Sequence, residues 1–247
     1  MSLDPFYADR EHLAIELPGA RALFTTRRGG CSAGPFTSLN LGRFTDDRPE
    51  DVGRNRARLA ERLDVGFADA RQVHGTTVRR VTRSRSADVA VTPEEGDGVA
   101  TALPGVAPMV LTADCLPIAV AGGGAVAMLH GGWRGLAAGI VGEGVLAVRG
   151  LGGAGALSAA IGPGAGACCY EVGDEVHAAF ADYDAALVHR GQNLDLKAIA
   201  RLELERAGVA VVHDIGLCTI CGDPSLFYSH RRDRGVTGRQ AGLVWLS

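Results

Sequence analysis

The stretch APMVLTADCLPIAVAGGGAVAMLHGGWRGLAAG, residues 107–139, decides the fold class. It divides into three short apolar segments, APMVLTADC, LPIAVAG and GGAVAMLH, each of the length of a buried strand. Only Gly122–Gly124 separates the last two, and glycine tolerates the positive φ angles of a tight turn, so they read as a hairpin. The hairpin's arms are short and nearly equal. Cys115 and His130 therefore fall at the same end of it, within several ångströms of each other given an inter-strand spacing of about 4.8 Å. WRGLAAGIVGEGVLAVRG follows as a glycine-tolerant helix carrying Leu136, Ile140 and Leu146.

Outward from that block, strands and helices alternate without a strict β-α-β rhythm. ARALFTT, residues 20–26, reads as a strand, and RRGGCSAGPFTSLNLG behind it as a loop rich in turn formers. PEDVGRNRARLAERL, residues 49–63, is an amphipathic helix: Val52, Leu59 and Leu63 recur at helical spacing, and Pro49, Glu50 and Asp51 suit a helix start. ARQVHGTTVRRV alternates apolar and polar positions, as a strand carrying His74. Beyond the centre, SAAIGPG is a strand, YEVGDEVHAAFADY starts a helix, and DLKAIARLELERAG is a periodic helix closed by Gly208. VAVVHDIG is the strand after it, and LFYSHRRDRGVTGRQAGLVWLS reads as two strands about a turn. Hairpins interrupt the alternation, so a mixed-sheet α+β domain is expected in preference to a doubly wound parallel one. No repeat and no linker divides the chain, which predicts one domain over residues 1–247.

Bulk composition narrows the function classes. Of the 247 residues 47% are apolar, ample for a core. A formal charge of -3 carries no nucleic-acid footprint, so no nucleic-acid partner is expected. Basic residues are nearly all arginine, Lys197 being the one lysine, so a single arginine carries little information. MSLDPFYADREHLAIELPG has acidic residues where a signal peptide is basic, and no run of about 18 strongly apolar residues occurs. A cytoplasmic protein with no membrane partner is expected. Six cysteines are too few for a disulfide scaffold here and read as buried thiols, ligands or nucleophiles.

Several motifs compete for the chemistry. GLGGAG, residues 150–155, has dinucleotide spacing but follows a helix instead of a strand, so it reads as a loop. Cys218 and Cys221 form a lone CxxC, too few ligands for a zinc ribbon, and Cys168 and Cys169 are adjacent; both pairs are expected as packed thiols. Cys115 and His130 remain. They suit either a nucleophilic dyad, with imidazole lowering the thiol pKa, or two ligands of a metal, with His74 of QVHG as the third.

Taken in order, FTTRRGGCSAGPFTSLNLG, NR in the helix, QVHG, GDG, TADCLPI, HGGWRGL, GP with CCYEVG, and FYSHRRD with TGRQ resemble the bacterial laccase-domain family, also called the polyphenol oxidase or peptidoglycan-editing-factor-like family. The resemblance runs from about Phe24 to Gln240. It implies a single-domain α/β/β/α sandwich binding one metal, usually Zn2+, through His, Cys and His, positions that fall on His74, Cys115 and His130. It also implies purine nucleosides and phosphate as partners: phosphorolysis of adenosine, inosine and methylthioadenosine, and deamination of adenosine. The laccase label implies Cu2+ as the alternative ion, oxidising phenols.

A three-ligand zinc leaves a position for water and lowers its pKa to about 7, which suits attack at C6 of a purine. The HxE and PCxxC signature of nucleobase deaminases is absent, so another group must carry the proton; Asp97, in EEGDGV, is the candidate. Phosphorolysis needs an anion site, and the guanidinium fork suits phosphate. Arg56, Arg27 and Arg134 are the candidates in that order, with Asn40 as a further substrate-binding residue. Two other classes stay open. A multicopper oxidase needs several copper sites, which seven scattered histidines without a His-x-His pair do not supply. A metal-free hydrolase would use Cys115 with His130. A partner role in cell-wall synthesis and assembly as a homodimer are also left open.

Overall fold

Residues 116–122 and 125–131 pair antiparallel, with Leu116 opposite Gly131 and Gly122 opposite Ala125. Gly123 and Gly124 turn the chain at φ 54° and 88°, the two positive angles a two-residue hairpin of this hand requires. A computed structural model describes residues 4–83 and 94–247. In chain order its elements begin with β1 (Tyr7–Asp9), β2 (His12–Leu17), β3 (Ala20–Phe24), α1 (Pro49–Leu63), β4 (Gly66–Ala68), β5 (Val78–Val81) and β6 (Gly98–Thr101). The centre holds β7 (Val106–Thr112), β8 (Leu116–Gly122), β9 (Ala125–Gly131), α2 (Trp133–Ala137), α3 (Ile140–Gly150) and β10 (Leu157–Ile161). The remainder is α4 (Asp174–Ala178), α5 (Ala185–Val188), β11 (His189–Arg190), β12 (Asn193–Leu194), α6 (Leu196–Arg206), β13 (Val209–Asp214) and β14 (Gln240–Leu246).

Two six-stranded sheets result, ordered β1-β2-β3-β14-β7-β4 and β13-β10-β8-β9-β6-β5. Both are mixed: β4 runs parallel to β7, β5 to β6 and β10 to β13, and their other neighbours are antiparallel. The period of two along each strand sorts side chains between faces. Ile118 and Val120 of β8, with Leu129 and Ile161, pack beneath α3 and α6. Ala119, Ala121 and Met128 point the other way and meet Ile15, Phe24 and Val110 of the first sheet. The far face of that sheet, including Leu23, Met109 and Leu243, is covered by Leu59 of α1. Helix, sheet, sheet and helix form the α/β/β/α sandwich of an α+β protein. Small inner residues let the sheets close: a Cβ on Gly242 would lie 2.5 Å from Pro117 Cβ, and one on Gly162 only 2.3 Å from Phe24 Cδ1.

Some elements depart from their expected extent. The strand expected across ARQVHGTTVRRV shrinks to β5, and His74 lies in the preceding loop at φ 61°. Asp97 imposes that turn by accepting the backbone N–H groups of Val73, His74 and Gly75 at 3.0, 2.9 and 2.7 Å. The helix after Gly132 breaks into α2 and α3 at Gly139, φ 94°, and the one expected from Tyr170 is reduced to α4. Of the two expected tail strands only β14 forms. Residues 226–239 turn instead, because Asp114 Oδ2 accepts from Arg231 N at 2.8 Å and Asp233 from Ser229 N at 3.4 Å. Among the described residues no helix is long and apolar enough to cross a membrane.

Candidate metal centre and its cavity

Three chain segments converge at one end of the second sheet. Cys115 immediately precedes β8, and His130 sits near the end of β9 opposite Pro117, so the hairpin register brings the two together. The Asp97-bound loop delivers His74 from beside β5. One ring nitrogen from each histidine and the Cys115 thiol lie within 4.8 Å of one another, with His74 Nε2 to Cys115 Sγ at 3.9 Å and the imidazole centroids 4.8 Å apart. His130 is 3% exposed, and its Nδ1 pairs with Asp97 Oδ1 at 2.8 Å, which leaves Nε2 for the centre. Metal-bound histidine usually has a carboxylate on one imidazole nitrogen and the ion on the other. A Cβ on Gly132 would lie 2.8 Å from His74 Cδ2 and 3.3 Å from Cys115 Sγ, so the glycine keeps this cradle open. Two imidazoles and a thiolate are donors that Zn2+ and Cu2+ both accept, so the residues fit such an ion.

Charge in the centre is strongly coupled. Burial pushes the Cys115 thiol up, but His130 and His74 beside it more than offset this and bring it down to about 6. Burial likewise works to lower His130, yet the Cys115 sulfur and Asp97 raise it to about 9. Burial also opposes ionisation of Asp97, but the bonds from His130, Gly75 and Val73 hold its carboxyl below the usual range. Thiolate, imidazolium and carboxylate thus stand in line, the thiol already in the form that ligates a metal or attacks an electrophile.

The centre opens into a cavity of about 420 Å³, within the usual size of a small-molecule site. Of the arginines proposed from sequence, Arg134 lines it, its guanidinium 4.1 Å from the Trp133 ring centroid. Arg56 does not reach it. Its Nη1 donates to Leu41 O at 3.1 Å and its Nη2 to Asp69 at 2.7 Å, so it is a buried prop for Asp69 on the cavity wall. Arg27 is likewise engaged elsewhere, donating to the carbonyls of Thr37, Pro224 and Pro35 over the Tyr228 ring. Asn40 is fully buried and ties loops together: its Oδ1 accepts from Gly42 N and Arg239 N, and its Nδ2 donates to the side-chain oxygens of Thr45 and Asp47. Asp97 is 0% exposed with both oxygens engaged, which places it behind His130 and not at a reacting atom.

Residues not selected from sequence complete the cavity. Arg43, Arg231 and Arg239 bring further positive charge, and Tyr170 and Phe44 bring apolar faces. Arg231 and Arg239 lie inside the FYSHRRD and TGRQ motifs, so their signal was present but undivided among neighbouring arginines. Thr112 also lines the cavity, 1% exposed, and its Oγ1 has no protein partner. Trp133 faces the cavity while resting on the helical layer.

Residues 21–247 match the family described as multi-copper polyphenol oxidoreductase laccase. A purine nucleoside phosphorylase of Pseudomonas aeruginosa is 43% identical over 92% of this chain and 93% of its own length. One of Xylella fastidiosa is 41% identical over 93% of each. Among solved structures, YlmD of Geobacillus stearothermophilus superimposes with a TM-score of 0.88 at 37% identity, covering 97% of both chains. A Neisseria meningitidis protein gives 0.84 at 36% identity, over 96% of this chain and all of that one.

Proposed function

The chain belongs to the laccase-domain family, and from that membership we propose that it cleaves purine nucleosides by phosphorolysis over the His74, Cys115 and His130 centre. One observation carries the reading: the His74, Cys115 and His130 cluster opens into a cavity lined by Arg43, Arg134 and Arg239, and relatives of this chain are named purine nucleoside phosphorylase. His74, Cys115 and His130 would hold a zinc ion, which would supply Lewis acidity there; copper is the alternative ion. Guanidinium groups of Arg134 and Arg239 bind phosphate, and the faces of Trp133, Tyr170 and Phe44 flank the base. The unpartnered Thr112 hydroxyl donates to a polar group of the nucleoside. In the reaction a phosphate oxygen bonds to C1′ as the bond to the purine nitrogen breaks, and the base leaves with the electron pair and is protonated. Asp97 positions His130 and the His74 loop and is not the proton carrier. Adenosine deamination at C6, and inosine and methylthioadenosine as substrates, belong to the same reading.

The copper phenol-oxidase reading has the family's descriptive name in its favour, but three ligands make one ion's worth of site. The hydrolase reading has the Cys115 and His130 ion pair in its favour. One preparation separates them: bound metal by elemental analysis, then adenosine followed by chromatography with and without phosphate. Adenine that appears only with phosphate is expected. Phenol-dependent oxygen uptake without adenine release, or a metal-free active enzyme blocked by thiol alkylation, overturns the proposal. Arg134→Ala and Arg239→Ala are expected to raise the phosphate KM at unchanged metal content, and an unchanged KM in both removes the anion site from these arginines.

A further inference from the structure

The two cysteine pairs expected as packed thiols are neither buried nor apart. Cys168 and Cys221 are exposed and Cys169 and Cys218 half-buried, although free cysteine is among the residue types most often buried. Parallel pairing of β10 with β13 brings the loops that follow them side by side. Gly164 and Cys218 form a bridge there, with Gly164 N donating to Leu217 O and Thr219 N to Gly164 O. All four thiols consequently lie within 4.8 Å of one another, Cys168 Sγ being 3.5 Å from both Cys221 Sγ and Cys169 Sγ. Four sulfurs around one tetrahedral Zn2+, at about 2.3 Å each, stand roughly 3.8 Å apart.

We propose that Cys168, Cys169, Cys218 and Cys221 hold a second, structural zinc ion, separate from the centre in the cavity. The backbone is arranged for it. CTICG is a turn in which Gly222 N donates to Cys218 O at 3.0 Å, and a Cβ on Gly222 would lie 2.3 Å from that oxygen. Gly166 N donates to Cys218 Sγ at 3.3 Å, a bond that favours the thiolate, and a Cβ on Gly166 would meet Cys168 Sγ at 3.2 Å. Glycine at both positions lets the loops approach to the separation one ion spans. Four thiolates on Zn2+ leave a net charge of about −2. Arg201 lines the adjoining depression with Cys168 and Cys218, beside Lys197 paired with Asp214 and Arg190 paired with Asp195, so one more cation than anion faces that charge.

This site would tie down one side of the cavity. Tyr170 follows Cys169 directly, Ala165 N donates to Asp114 O at 2.6 Å, and Thr219 Oγ1 donates to Asp114 Oδ1 at 2.7 Å, next to Cys115. The experiment counts ions in the purified protein, by elemental analysis and by zinc released to an indicator during organomercurial titration. Two zinc ions per chain are expected, falling to one in both Cys218→Ser and Cys115→Ala. After cobalt exchange, Cys115→Ala should keep the intense visible bands and thiolate charge-transfer absorption of a tetrathiolate ion. One zinc per chain that Cys115→Ala abolishes, two zincs that survive Cys218→Ser, or a Cys168–Cys221 disulfide in non-reducing peptide maps would each overturn the assignment. The wild-type titration stands even where Cys218→Ser does not fold. The outcome is independent of the nucleoside reading, because it is read without substrate.

Discussion

Asp97 receives hydrogen bonds from the backbone of Val73, His74 and Gly75 and pairs with His130 Nδ1, so one carboxylate orients two of the three side chains proposed to hold the metal. Asp97→Asn preserves size but removes the charge that faces imidazolium and turns one acceptor into a donor. Metal affinity is expected to fall about 10- to 100-fold, the usual effect of losing such a partner. Competition with a chelator at neutral pH measures it, and an affinity equal to wild type removes the positioning role. At this scale the meeting of His74, Cys115 and His130 was legible, because the short, nearly equal arms of the hairpin bring Cys115 and His130 to one end and QVHG repeats the histidine-glycine pattern. The arginines were not. Arg56 and Arg239 look alike in sequence, and only the folded position of Asp69 makes one a prop and leaves the other on the cavity wall. The acidity of Asp97 suggests proton transfer in sequence, whereas in the fold its buried oxygens accept from three backbone N–H groups and pair with His130.

The hairpin β8 to β9 depends on two glycines in different ways. Both have positive φ, but a Cβ at Gly123 would lie 2.0 Å from Ala154 N, whereas one at Gly124 has nothing within 4 Å. Gly124→Ala therefore carries only backbone strain, about 1 kcal/mol, while Gly123→Ala must also displace the loop before β10 and is expected to cost about 3 kcal/mol or more. Urea midpoints of the two variants check this, and equal shifts contradict it. Elements with local causes were readable: α1 runs Pro49–Leu63 as its spacing and proline indicate, and Gly208 at φ 83° closes α6. Elements shaped by distant residues were not. Nothing near His74 in sequence announces that Asp97 will bend it out of a strand, and the cysteine pairs meet only because β10 and β13 are neighbours.

Stability of the whole molecule should depend on acidity through His12 of β2. This histidine is buried, and its Nδ1 accepts from Thr26 N at 3.3 Å, a bond that requires the unprotonated ring. Burial, aided by the charge of Arg62, pushes its pKa from 6.5 to about 4. Between those values the unfolded chain holds the proton and the folded chain does not. The contribution is fully present above pH 6.5 and is lost as pH falls towards 4, to a total of about 3 kcal/mol. His12→Asn keeps an acceptor without the titration, so its unfolding midpoint should fall less across that interval; parallel curves refute the assignment.

His130 lies in β9, and His74 and Cys115 lie in the loops leading to β5 and β8 of the second sheet, whereas Leu111 and Thr112 end β7 and Arg239 immediately precedes β14 in the first. Gln72 clips the two together, donating from Nε2 to Leu111 O and accepting from Leu111 N, both at 2.8 Å. The gap between the His74, Cys115 and His130 cluster and the cationic wall is therefore a measurement made by the protein interior: the side chains between the sheets act as its spacers, thin where Gly162 meets Phe24 and where Gly242 meets Pro117. Sequence drift at those spacers can retune which molecule fits the cavity while every ligand and every arginine stays the same.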